Sequence, residues 1–184
     1  MVAILFFGFS SGLPFALTDD AFRGWMADAQ LDLRTIGWLS LVSLPYSLKF
    51  LWSPFLDRFV PPFLGRRRGW MAIAQICLIA GILALSLQIG IISALPASQR
   101  LSALQVLAVI ALSVTFLSAT QDIAIDAYRA DVLTEREVGA GAALTILGYR
   151  IALLLTGGVA FILADYLGWQ QTYALISGVM AIGL

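Results

Sequence analysis

Six apolar runs follow one another along this chain, with only short polar breaks between them. The first five reach the ~20 residues that a helix needs to cross a ~30 Å hydrocarbon core. A helix on the surface of a soluble core is apolar along one stripe, whereas these runs are apolar nearly all round. They are read as membrane helices at 1–22, 35–56, 70–92, 101–128, 138–164 and 172–184. Composition agrees: 60% of residues are hydrophobic and 12% charged, against ~45–50% and ~25% in an ordinary globular domain. The expected class is an all-α membrane protein. The sixth run is still apolar where the sequence stops and is too short to span. The reading is therefore a six-helix half, residues 1–184, with its sixth helix truncated; a true short product is the alternative.

Several function classes drop out. There is no His and one Cys, Cys77, so neither a disulfide framework nor a His/Cys metal site is expected. A net charge of zero gives no sign of a nucleic-acid partner. The first run lacks a basic leading segment and is interrupted by Gly8, Ser10, Ser11, Gly12 and Pro14, so it is read as a retained helix rather than a signal peptide. Gly8 and Gly12 are spaced for close helix packing. Trp25 and Trp38 flank the first polar break in the manner of interfacial aromatics. The second and fourth breaks carry Arg58, Arg66, Arg67, Arg68, Arg129 and Arg136, while the other three carry Arg23, Arg34 and Arg100. The richer side is expected to be cytoplasmic, and the N-terminus with it.

Against this background a few polar residues stand out. Asp122, Asp126 and Arg129 lie at i, i+4 and i+7 and share one helical face, with Thr115 and Ser118 on the same stripe. An ionised carboxylate at membrane depth costs at least ~2.5 kcal/mol, so such residues face a bundle interior or a water-filled path and mark substrate or ion routes. Lys49 lies in the second run about seven residues from the next loop, and either snorkels or faces an internal cavity. Arg150 lies inside the fifth, with Ala143 and Gly157 seven residues to either side. The structural alternative is a set of ion pairs that fix helix register, Asp126 with Arg129 or Asp122 with Arg150. With no His available, Asp122 and Asp126 are the natural proton carriers for a coupled transporter. An enzyme is not expected. Asp-x-x-x-Asp occurs in metal-dependent membrane phosphotransferases, but those need further acidic ligands on a neighbouring helix, and no Gly-rich phosphate loop is present.

The motif Asp57-Arg58 followed by Gly65-Arg66-Arg67 resembles the loop between helices two and three of the major facilitator superfamily. Ser53 replaces that pattern's leading Gly, and five extra residues separate its halves. The longer form looks like that of AmpG-type muropeptide permeases. So do Gly8-Phe9-Ser10-Ser11-Gly12-Leu13-Pro14, Lys49-Phe50-Leu51-Trp52-Ser53-Pro54, Ser118-Ala119-Thr120-Gln121-Asp122-Ile123, Asp126-Ala127-Tyr128 and Leu147-Gly148-Tyr149-Arg150. The resemblance covers nearly the whole chain. It implies the N-terminal half of a twelve-helix carrier in the bacterial inner membrane, importing anhydro-muropeptides (GlcNAc-anhydroMurNAc with or without peptide) for cell-wall recycling. The proton gradient takes the place of any cofactor. The implied partners are the muropeptide, the lipid bilayer and the missing C-terminal half. By position, Asp122 and Asp126 become proton-coupling residues. Gln121, Lys49, Arg150 and Arg129 become cavity and substrate residues. Asp57, Arg58, Gly65, Arg66 and Arg67, in the loop 57–69, become a cytoplasmic gate. A carrier for another acidic sugar, peptide or acyl-CoA, or a non-transporting membrane remnant, is the alternative.

Overall fold

The computed structural model describes residues 1–183, and among them there are helices and connecting turns but no strand. Six helical elements follow the six apolar runs. Helix α1 runs continuously over Val2–Asp28. Pro14 sits inside it and cannot donate to the ladder. The ladder widens to a π-turn at Leu17–Ala21, and Thr18 Oγ1 donates to the Pro14 carbonyl at 2.9 Å. This continuation carries α1 six residues past the expected end at 22. Trp25 is consequently 2% exposed in the core instead of lying at an interface, while Trp38 is exposed.

The second element, α2, spans 33–58 and is not one helix. It is built of Leu33–Ser40, Leu44–Leu48 and Ser53–Arg58, joined by 3₁₀ turns at Leu41–Ser43 and Lys49–Leu51. Pro45 and Pro54 each stand at the start of a new piece, where a missing N–H is tolerated. Asp32 caps the first piece by accepting the Thr35 N–H at 3.2 Å.

Helix α3 (Arg66–Ala94) and helix α4 (Arg100–Val132) form a long antiparallel pair. Leu78, Ile82, Leu85 and Ile89 recur on one face of α3 and meet Leu107, Ala111 and Val114 of α4, all 0–1% exposed. Gly65, at φ 74°, turns the chain into α3; only glycine takes that conformation without strain. Helix α5 covers Val138–Leu167, with a second π-turn at Leu155–Val159 that lies beside the π-turn of α1. Between α4 and α5, Glu137 accepts from both the hydroxyl (2.6 Å) and the N–H (3.1 Å) of Thr134. These bonds hold its carboxyl below the usual carboxylate range. Gly168 (φ 83°) turns the chain into α6, Trp169–Val179, which runs on into Met180–Gly183.

Among the described residues, four helices are long and apolar enough to cross a membrane: α1, α3, α4 and α5. The breaks in α2 keep it outside that set. The chain is therefore an all-α, multi-pass membrane protein. Helices α1 and α5 pack through glycine, as the Gly8/Gly12 spacing predicts. A Cβ on Gly8 would fall on the Thr145 backbone, one on Gly12 would come within 2.9 Å of the Tyr149 ring, and one on Gly148 would fall on the Leu5 carbonyl. Asp28 at the end of α1 accepts from Trp169 Nε1 at the start of α6 (2.7 Å), and Arg67 at the start of α3 reaches Asp131 at the end of α4 (3.0 Å). Two opposite faces are thereby defined, and the α2–α3 and α4–α5 connections share the Arg-rich one.

Candidate functional site: a carboxylate gripped by two helices

Neutral hydrogen bonds and one ion pair hold the broken α2 on α4. Thr115 Oγ1 donates to the Val42 carbonyl at 2.8 Å, Tyr46 OH is bonded to Ser118 Oγ, and Trp52 Nε1 donates to Thr120 Oγ1 at 3.2 Å. The stripe Thr115, Ser118, Asp122 is thus the α4 face that receives α2. Lys49 leaves the 3₁₀ turn Lys49–Leu51 directly over that stripe, and its Nζ pairs with Asp122 Oδ2. From the other side, α1 supplies Ser11, whose Oγ donates to Asp122 Oδ1 at 2.6 Å. Both oxygens of one carboxylate are occupied, each by a different helix.

Lys49 and Asp122 side chains are 37% and 21% exposed, so the pair is partly desolvated yet open on one side. Aromatic rings stand beside the pair, through Tyr46 on Ser118. Phe15 meets Tyr46 edge-on at 4.6 Å between centroids and lies 6.1 Å from Tyr149. The Lys49–Asp122 ion pair adds a charged tie between α2 and α4. Removing one partner of a desolvated pair is costly because the other charge is left behind.

The remaining sequence candidates go to separate places. Asp126 lies one turn nearer the Arg-rich face, 48% exposed, and pairs with Arg129 at 3.2 Å. Arg150 is exposed on α5 and meets no carboxylate among the described residues; it borders a cleft of about 520 Å³ with Leu153, Leu154, Gly157 and Gly158. Its partner is not Asp122, which Lys49 holds. Gln121 is 2% exposed and turned away from the pair. Its Nε2 donates to Gln75 Oε1, and Gln75 Nε2 donates to the Met180 carbonyl, linking α4, α3 and the end of α6.

On the Arg-rich face, Arg67 bridges Asp57 and Asp131, and Arg66 Nη1 donates to the Asp57 carbonyl at 3.2 Å. Arg68 reaches the Tyr128 hydroxyl at 3.4 Å and lies 5.7 Å from its ring centroid. Sequence reasoning found the two halves of this loop motif but not Asp131, which joins them to α4. It also missed Ser11 and Tyr46. Tyr46 stands three residues before Lys49, a helical spacing that carries the signal; Ser11 comes from another helix and gives none.

The chain matches the family described as acetyl-coenzyme A transporter 1 over residues 4–166. It belongs to that transporter family. Among individual relatives, it is 47% identical over 178 residues to the anhydromuropeptide permease of Escherichia coli K12, covering 96% of this chain and 34% of the relative. It is 40% identical to an uncharacterized protein of Haemophilus influenzae, over 100% of this chain and 41% of that one. It is 32% identical to the putative transporter AmpG 4 of Rickettsia felis, over 97% and 42%. The resemblance to AmpG-type permeases therefore extends along the chain, and the named relatives are permeases and transporters rather than enzymes. The chain spans about a third to two-fifths of their length.

Proposed function

We propose that this chain is the N-terminal half of a major facilitator carrier that imports anhydro-muropeptides across the bacterial inner membrane in symport with protons. The observation that carries the reading is the Lys49–Asp122–Ser11 cluster, where three helices converge on one carboxylate open on one side. Asp122 is the proton carrier and Lys49 the cation released to the acidic sugar. Asp126 with Arg129, one turn nearer the Arg-rich face, is the second proton-coupling candidate, and the exposed Arg150, on its own cleft of α5, is a further substrate candidate. The Arg-rich face is cytoplasmic, and the Asp57–Arg67–Asp131 bridge, with Arg58, Gly65 and Arg66, forms the gate there. The 47% identity to a protein named for this activity supports the substrate. The family's description supports a second reading, an acyl-CoA carrier, in which Lys49 and Arg150 take phosphates.

The test is uptake of labelled GlcNAc-anhydroMurNAc by cells that lack their own importer and express the full-length protein, at acid and alkaline pH, with and without uncoupler. Gradient-dependent uptake that disappears in Asp122→Asn is the expected result. Uptake that survives the substitution removes Asp122 from the coupling role. Absence of uptake, with the protein present in the membrane, rejects the muropeptide and favours the acyl-CoA reading.

A further inference from the structure

We infer that the α2–α3 connection, besides any gating role, is a binding surface for anionic phospholipid headgroups. Phe59, Val60, Phe63 and Leu64 are 49%, 61%, 52% and 64% exposed. They lie in a seven-residue connection, 59–65, outside any spanning helix, where solvent-facing apolar residues are not expected. The connection is built rigidly. Phe59 accepts from Trp70 Nε1 at 2.9 Å, Pro61 is buried, and Gly69 lets the Phe63 carbonyl and Pro61 press onto the first turn of α3. The apolar side chains are thus held outward at the level where α2 ends and α3 begins, and the hydropathy of α3 sets that level at the bilayer interface. Around them stand Arg58, Arg66 and Arg68, all exposed. None of the three meets a carboxylate among the described residues, because Asp57 and Asp131 are both taken by Arg67. Apolar side chains that enter the headgroup layer, ringed by uncompensated guanidinium groups, match lipid phosphates in both shape and charge. Each Arg near an anionic leaflet strengthens association roughly fivefold.

The test does not involve transport, so it fails or succeeds independently of the proposed substrate. Full-length protein is placed in nanodiscs of phosphatidylcholine alone or with phosphatidylglycerol. Hydrogen exchange of 59–65 and retention of phosphatidylglycerol after detergent extraction are both measured. Phosphatidylglycerol is expected to slow exchange of the connection. Arg58→Gln, which touches nothing that holds the loop, should weaken lipid retention about fivefold. The triple variant Arg58→Gln, Arg66→Gln, Arg68→Gln should abolish the preference, and the matching Lys triple, which keeps the charge, should retain it. Equal exchange in both lipids overturns the inference. So does a preference that survives in the Gln triple, or one lost in both triples, which would make loop structure rather than charge responsible.

Discussion

Gly148→Ala is the sharpest perturbation of this fold, because it adds one methyl group where α1 and α5 touch. That methyl would fall on the Leu5 carbonyl and lie 2.8 Å from the Phe9 nitrogen, both backbone atoms of α1. Backbone cannot rotate aside as a side chain can, so the two helices must part by on the order of 1 Å. A radial gap of ~0.5–1 Å forfeits roughly a quarter to a half of each dispersion contact. In lipid no hydrophobic term compensates for lost packing between helices. Overpacking in cores costs ~1–3 kcal/mol and occasionally more; with the same helix pair also closed at Gly8 and Gly12, about 2–4 kcal/mol is expected here. At ~2–4 °C per kcal/mol for 150–250 residues, that lowers the unfolding midpoint by roughly 4–16 °C. Gly139 and Gly157 supply the control, since a Cβ on either meets nothing within 4 Å and Ala is the better helix former. Thermal unfolding in detergent should show Gly148→Ala well below wild type, with Gly139→Ala and Gly157→Ala at or above it. If all three unfold together, the α1–α5 contact does not limit stability and the packing argument fails.

Lys49→Ala should destabilise by about 1–2 kcal/mol, a value discounted for the pair's exposure. Adding Asp122→Ala should recover part of that, which a double-mutant cycle measures. Tyr173→Phe removes the hydroxyl that donates to the Leu17 carbonyl at 3.0 Å within the π-turn of α1; a loss of about 0.6–1 kcal/mol is expected by chemical unfolding. Glu137 titrates below an ordinary Glu because Thr134 bonds its charged form. Its ordering of the α4–α5 connection is therefore complete above the ordinary Glu range and lost as pH falls through the lowered value. Hydrogen exchange at 133–137, corrected for intrinsic rate, should accelerate only at that acid end.

The spans were legible because hydropathy acts on whole runs. The positions of α3, α4 and α5 follow from long apolar stretches that no proline or cluster of charges breaks. Helix α2 was less legible: its proline and lysine positions are visible in the sequence, but the 3₁₀ turns depend on α4 being there to receive them. The end of α1 was missed for a related reason. Asp19, Asp20 and Arg23 look like the edge of a span, yet Asp19 and Arg23 pair at 2.6 Å and the helix continues. In the site, the stripe Thr115, Ser118, Asp122 was readable from 3.6-residue periodicity. Its partners were not, because Ser11 and Lys49 are brought to it by tertiary packing. Gln121 shows the converse: it adjoins Asp122 in sequence but points about 100° away around the helix, into the α3 interface.

The grip on Asp122 also sets an order of events during synthesis. Lys49 emerges 73 residues before the carboxylate that neutralises it. At ~5–20 residues per second, roughly 4–15 s separate the two. Through that interval α2 carries an uncompensated cation and a twice-interrupted backbone, so it is poorly suited to staying in the bilayer unaided. Helices α1 and α3 can insert on their own hydropathy; α2 settles only when α4 arrives to receive it. A nascent chain stalled before residue 122 should therefore leave α2 accessible to aqueous labelling reagents, and one stalled beyond α4 should protect it.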